Sequence, residues 1–272
     1  MDYKRGIDVS QWQGVIDWEA VKASGVEFAM IRAGYGQNNI DPQFKRNADE
    51  CTRLGIPFGV YWFSYAYSTE RAASEARKCI ETISPYTLDY PVAWDFEYDS
   101  ADYIGEKGYG LTEKMCSDMA RAFLAEIEDA GYYPMVYTNA DYLARYFDAD
   151  IETRYDIWLA QWPKHPDPAN PPRTVGIWQY SNVGRVPGIA NGKGNVDMDA
   201  VYKDYPSIIR EGRRVVYHTR DDIAEKADWG LATFDKLVDM GALEGTAEGD
   251  YDISRDMLRT LVILDRTGAF DK

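Results

Sequence analysis

A chain of 272 residues with 45% hydrophobic and 28% charged side chains can form one large α/β barrel or two modules around a substantial core, which excludes a disordered or fibrous protein. Its formal net charge of -15 denies it the basic face that nucleic-acid phosphates require, and also works against simple attraction to anionic polymers. Aromatic residues reach 14%, with 21 Tyr and 8 Trp, and flat rings suit the apolar C–H faces of sugars.

The opening residues, MDYKRGIDVSQWQGVIDW, lack the apolar core of a secretory signal, and no later run approaches transmembrane length. The expectation is therefore no membrane span, with export, if any, by phage-type release or a leader since removed. Short β-rich runs then recur. RGIDVS and FAMIRAGYG come first, followed by an amphipathic helix over residues 42–54, the strand FGVYWFSYA and a helix over 69–84. YPVAWDFE, a helix over 113–130, YPMVYTN, YDIWLAQW, TVGIWQYS and NVDMDAVY complete eight candidate strands, the later gaps being short and rich in Pro and Gly. Alternation of this kind over roughly 200 residues predicts an α/β fold, a parallel (β/α)-type barrel whose helices thin out in its second half.

Cys51, Cys79 and Cys116 are too far apart for a C-x-x-C motif. Each lies on the apolar face of a predicted helix, with Phe44 and Ala48, with Ala72, Ala76 and Ile83, and with Met119, Phe123 and Ile127, so they read as buried free thiols. His165 and His218 are the only histidines, which leaves no His-rich metal site and no Ser-His-Asp triad, and His165 sits in the loop-like PKHPDP. No Gly-rich phosphate loop and no metal-ligand cluster appears, so neither cofactor nor metal is expected.

The pattern changes around residues 207–214, where the charged IIREGRR precedes a helix, a turn and a helix. A boundary here divides the chain into 1–210 and a small helical module, 211–272. Trp229, Leu231, Phe234, Leu237 and Val238 form one apolar stripe, GALEGTAEGDYD a turn, and Ser254 caps a helix carrying Met257, Leu258, Leu261 and Val262. So small a module is expected to dock for stability.

The chemistry concentrates in YPVAWDFE. With a period of two, Asp95 and Glu97 share one face, their α-carbons about 7 Å apart, while Val92, Trp94 and Phe96 face the other. Strand ends are where barrels place catalytic groups. Two neighbouring acids among aromatic rings repel one another and lose solvent, which raises one pKa and keeps a proton available near neutrality. A helix cap or a solvated loop is the competing account of such a pair. Asp8 closes the first strand and Asp197 does the same on the last, which adjoins the first once a barrel closes. Four acids at one mouth suit an oxocarbenium-like transition state.

These pieces resemble the lysozymes of glycoside hydrolase family 25, the muramidases of bacteria and bacteriophages. GIDVSQWQG with the following IDW, FAMIRAGYG, IPFGVYWFSYA, AWDFE, YPMVYTN, WLAQW, WQYS and VDMD match in order over residues 5 to 205. The resemblance implies Glu97 as acid/base, Asp95 as the partner that steers the substrate's N-acetyl group, and Asp8 and Asp197 as supporting acids. It further implies Tyr61 and Tyr137 as pocket tyrosines and Arg32, Gln161, Trp178 and Gln179 as wall residues. VDMD departs from relatives with Asn at the second acid, which leaves Asp199 without an assigned role. The tail resembles, less specifically, helical appendages of clostridial wall hydrolases related to surface-layer repeats, which implies wall attachment, with a purely structural or dimerising role as the alternative.

The expectation is cleavage of the β-1,4 bond between N-acetylmuramic acid and N-acetylglucosamine in bacterial peptidoglycan, with N-acetyl assistance, at the cell wall. A chitin-type N-acetylglucosaminidase and an inactive wall-binding barrel are the alternatives, and oligomeric state stays open.

Overall fold

The computed structural model describes residues 2–190, 195–213, 216–246 and 249–270. Contacts divide the chain into two compact units, 1–127 with 133–206, and 128–132 with 207–272.

In the first unit the strands are β1 (Lys4–Val9), β2 (Phe28–Tyr35), β3 (Asn39–Ile40), β4 (Phe58–Phe63), β5 (Val92–Asp95), β6 (Pro134–Asn139), β7 (Asp156–Ala160), β8 (Ile177–Gly184) and β9 (Val196–Val201). All eight expected strands form, and β3 is a short antiparallel flap on β2. The barrel closes in the order β1-β9-β8-β7-β6-β5-β4-β2, with β2 returning to β1. Parallel pairing runs from β1 through β2, β4, β5, β6 and β7 to β8. The barrel is not wholly parallel as expected, because β9 runs antiparallel to both β8 and β1. Only a short connection precedes it, and a parallel return needs a crossover of a dozen or more residues. Reversal has a consequence for chemistry, since it brings the start of β9 to the end of β1 and sets Asp197 directly opposite Asp8.

The helices are α1 (Trp18–Ala23), α2 (Phe44–Leu54), α3 (Thr69–Ile83), α4 (Tyr98–Glu106), α5 (Glu113–Asp129), α6 (Ala140–Tyr146) and α7 (Ala149–Arg154), and none lies between β7 and β8. Their ends follow from local chemistry. Asp17 accepts from the amides of Glu19 and Ala20, both at 3.1 Å, to start α1, while Gly55 ends α2 in the left-handed conformation at φ 65°. Gly34 is demanded by packing, for a Cβ there would stand 2.3 Å from the Asn39 carbonyl and 2.5 Å from the Trp62 ring. The three cysteines are free and fully buried on their helices. Trp18, Trp62, Trp94 and Trp158 are likewise buried; the Trp62 indole donates to the Gly36 carbonyl at 2.9 Å and that of Trp18 to Asn47 at 3.1 Å, whereas the Trp94 N–H has no partner among the described residues. No helix among the described residues is long and apolar enough to cross a membrane.

α8 (Tyr205–Arg213) begins at the junction of the two units. The second unit then holds β10 (Val216–Tyr217), α9 (Arg220–Lys226), α10 (Leu231–Asp239), β11 (Ile253–Ser254) and α11 (Arg255–Arg266), with β10 and β11 paired antiparallel. Ser254 caps α11 as expected, its hydroxyl accepting from the Met257 amide at 3.1 Å. A third helix and the ribbon go beyond the helix, turn and helix of the sequence reading. They supply a core of Tyr217, Ile223, Ala227, Phe234, Ile253 and Leu258, against which Trp229, Leu231 and Val238 pack. Arg214 of the charged stretch and residues 247–248 of the turn lie outside the described residues.

Candidate active site

The carboxylates converge because extended backbone at the barrel mouth aims alternate side chains inward. β5 stops at Asp95, and Glu97 serves as the residue before α4 rather than as a strand residue, yet its φ of -144° keeps the extended alternation. Trp94 and Phe96 therefore point outward, where they stack on each other with centroids 5.0 Å apart and meet Phe147 edge-on. Asp95 and Glu97 turn into a cleft of about 350 Å³. Backbone bonds pin this corner: the Phe96 amide donates to the Tyr137 carbonyl at 3.1 Å, and the Thr138 hydroxyl donates to the Phe96 carbonyl at 2.8 Å.

Asp8, Asp197, Arg32, Tyr61, Tyr137 and Gln179 line the same cleft. Loss of solvent raises all four acids. Asp95 rises well above the carboxylate range through burial and then through the charge of Glu97. Glu97 is pushed to about 7 by burial, moderated by a hydrogen bond from Asp95. The pair thus holds a proton through neutrality, shared between the two carboxyls. Asp8 is raised by burial and by Asp197 and Asp199, and Asp197 by burial to about 6.

Gln179 fixes the Asp8 side of the mouth. Its Nε2 donates to Asp8 at 2.8 Å, and its Oε1 accepts from the Tyr137 hydroxyl at 3.1 Å and the Trp162 indole at 3.0 Å. Arg32 is held by Asp41, which accepts from its Nε at 2.8 Å, while its buried Nη2 has no partner. The Arg32 charge is also what tempers the rise of Asp95.

Two of the expected wall residues stand elsewhere. Gln161 lines an adjoining cavity with Glu97, Tyr98, Tyr137 and Trp162. Trp178 is buried and does not line the cleft; its indole donates to the Gln161 carbonyl at 2.8 Å, so it supports that neighbouring wall.

Comparison with known proteins agrees with this geometry. The model of the family described as "Glycosyl hydrolases family 25" matches residues 7–189. The chain belongs to glycosyl hydrolase family 25. Within that family it is 32% identical to the uncharacterized protein YegX of Escherichia coli strain K12 over 196 residues, 68% of this chain and 65% of YegX. Lysozyme M1 of Streptomyces globisporus is 30% identical over 200 residues, 71% of this chain and 66% of that protein. The chain therefore spans about two thirds of the length of the curated relatives it matches. Among solved structures, the modular autolysin LytC of Streptococcus pneumoniae is 27% identical with a TM-score of 0.62, over 74% of this chain and 47% of that one. The CTP1L endolysin, 22% identical with a TM-score of 0.64 over 78% of this chain and 71% of its own, shares the fold.

The family 25 cleft also contains residues that the sequence did not single out. Trp158 of β7 lines it, contacts Tyr137 at 4.6 Å and Tyr61 at 5.7 Å between centroids, and donates its indole N–H to Asp199 at 2.8 Å. Strand parity was the available signal, since Trp158 and Ala160 share a face and Ala160 borders the adjoining cavity. Asp41 carried no such signal, because its contact with Arg32 depends on how the flap folds back. Trp12, 70% exposed at the mouth, and Trp162, 50% exposed beside it, offer open rings of the kind that stack on sugars.

Proposed function

We propose that the chain is a peptidoglycan hydrolase of the N-acetylmuramidase type, acting at the bacterial cell wall on the β-1,4 bond between N-acetylmuramic acid and N-acetylglucosamine. The observation that carries this reading is the desolvated Asp95–Glu97 pair, sharing a proton inside a cleft flanked by open aromatic rings. Lysozyme M1 and an autolytic lysozyme of Clostridium acetobutylicum among its relatives support it, as does LytC, which has been solved in complex with a synthetic peptidoglycan ligand.

In this reading the substrate's N-acetyl N–H donates to Asp95, which favours the anionic form there and shifts the shared proton to Glu97. Glu97 protonates the glycosidic oxygen as the C1–O bond breaks, and the N-acetyl oxygen attacks C1 to form a cyclic oxazolinium. Glu97, now a carboxylate, takes a proton from the water that opens this ring, which restores the acid. Asp197, raised only to about 6, adds negative charge opposite the developing cation, and Asp8 supports it from directly across the strand pair. Both acids of the pair stand on one strand end, so neither is obviously placed for attack from the opposite face, and that favours the substrate's own nucleophile. Tyr61, Tyr137, Arg32 and Gln179 shape the sugar site, while Gln161 and Trp178 belong to its continuation past Glu97.

Mass spectrometry of digested peptidoglycan tests the reading. New reducing ends on N-acetylmuramic acid are expected. Reducing ends on N-acetylglucosamine would indicate the glucosaminidase alternative, and binding without cleavage an inactive barrel. We further propose that residues 1–210 carry the chemistry and that 211–272 serve wall attachment. Deleting the latter is then expected to weaken retention on intact walls and to spare turnover of soluble fragments; loss of that turnover in a folded truncated chain would refute the division.

A further inference from the structure

A second cavity of about 600 Å³ adjoins the catalytic cleft and shares Asp99 with it. One bank is α4, on which Asp99, Asp102, Tyr103 and Glu106 recur at the three- and four-residue intervals that put side chains on one face of a helix. The opposite bank is Tyr35, Tyr65 and Arg71 with the turn leading to β3. Tyr65 and Tyr103 meet with centroids 5.1 Å apart, and the Arg71 guanidinium lies 4.3 Å from the Tyr67 ring. Among the described residues none of the three carboxylates is engaged in an ion pair. Arg32 stands at the seam: it lines the catalytic cleft, its guanidinium is 5.3 Å from the ring of Tyr35 in the second cavity, and its side chain is nine-tenths buried with Nη2 unpartnered.

The lining presents two signs of charge and several flat apolar faces. A neutral glycan uses only the latter, and an amino sugar only the faces and the carboxylates. A ligand with both an ammonium and carboxylates uses the acids, Arg71 and the rings together. Peptidoglycan carries such a group on every muramic acid, in a peptide stem containing a diamino acid. Resting on the hydrolase reading for its substrate, we infer that this cavity is a subsite for the peptide stem. Arg32 Nη2 donates to the carbonyl that joins stem to sugar, Asp102 and Glu106 take the side-chain ammonium, and Arg71 takes a stem carboxylate. The chain thereby distinguishes stem-bearing glycan from bare glycan outside the catalytic carboxylates.

The test uses the full chain and two readouts. Calorimetric titration with the soluble tripeptide alanyl-γ-glutamyl-diaminopimelate is expected to show binding that weakens about tenfold when the side-chain amine is acetylated, and equally in the double variant Asp102→Asn/Glu106→Gln. Turnover is then compared on glycan strands with stems and on strands stripped by an amidase. In the double variant kcat/KM on stem-bearing strands falls about tenfold, toward the stripped value, while the rate on stripped strands, which also reports an intact fold, is unchanged. Arg71→Gln is expected to weaken tripeptide binding without altering the rate on stripped strands. Tripeptide binding indifferent to acetylation and to the double variant overturns the inference, as does binding of a glucosamine oligomer in place of the tripeptide. Absence of cleavage on either strand, with tripeptide binding intact, overturns the hydrolase reading and leaves the subsite standing.

Discussion

The pair Asp95–Glu97 and the pair Asp8–Asp199 stand at the same barrel mouth, and burial is the first cause of the raised pKa in all four. They differ in what surrounds the second member. Asp199 is completely buried opposite Gly6, one oxygen accepting from the Trp158 indole at 2.8 Å, while its partner Asp8 is held by Gln179. Glu97 is partly exposed to the cleft and follows the strand end, so its carboxyl can meet a ligand. The same desolvation that sustains a transferable proton in one pair produces, in the other, a fixed hydrogen-bonded strut. Burial alone does not mark a catalytic acid; access to the cavity does.

The sharpest way to break this distinction is to neutralise each pair in turn. Glu97→Gln keeps shape and removes the proton, and is expected to lower kcat by about 100 to 10,000-fold with the melting temperature little changed. Asp95→Asn is expected to cost somewhat less, about 100-fold or more, because it leaves Glu97 able to donate but removes the negative charge of the acceptor that steers the N-acetyl group. Turbidity and soluble-fragment assays on folded variants measure both. Near-wild-type rates for Glu97→Gln would eliminate it as the acid, and a covalent glycosyl ester trapped on Asp95 would replace the substrate-assisted route.

The pH profile tests the pair as a unit. Because Asp95 stands above the value of about 7 that Glu97 reaches, the pair keeps its last proton beyond that pH, so kcat/KM is expected to hold through neutrality and to fall about tenfold per pH unit only once this proton leaves. Glu97→Gln should abolish this limb in whatever residual rate persists, while changes at Asp199 should leave its midpoint near the same pH. A limb that moves with Asp199 and not with Glu97 would invert the roles of the two pairs.

Much of this site was legible because strand periodicity is local information. Asp8, Asp95 and Glu97 could be placed at one rim from alternation and strand ends alone, whereas Asp197, expected to close its strand, reaches that rim from near the start of β9; the buried cysteine faces followed from helical spacing. Closure of the barrel was legible from strand count, but the direction of β9 was not, since it depends on a short connection rather than on the strand's own residues. That reversal is why Asp197, near the start of its strand, faces Asp8 near the end of another. Contacts between distant segments, such as Arg32 with Asp41 or Trp158 with Asp199, leave no trace in spacing. The second unit's ribbon was missed for the same reason, because two residues of β10 and two of β11 are too few to show a period.

The smallest expected effect on rate, and the most specific for the strut, comes from Asp199→Asn. Asparagine can still accept from the Trp158 indole through its side-chain oxygen, so that contact is retained and kcat should change by no more than about threefold. Stability is where the variant should differ. In the folded protein Asp199 is raised to about 8, against an ordinary carboxylate value near 4, so the native state holds a proton that the unfolded chain releases across this interval. The stability this proton confers is complete below about pH 4 and is lost progressively as the pH climbs through about 8. Wild-type melting temperature should therefore decline over that window more steeply than that of Asp199→Asn, whose amide does not titrate. At pH 8 the variant is expected to be the more stable by up to about 5 kcal/mol, at about 1.4 kcal/mol for each of about four pH units, and at pH 4 the advantage should vanish. Thermal melts of both proteins at half-unit pH intervals decide the matter. Parallel curves would mean that Asp199 does not hold its proton in the fold, and the contrast between a strut and a catalytic pair would lose its electrostatic basis.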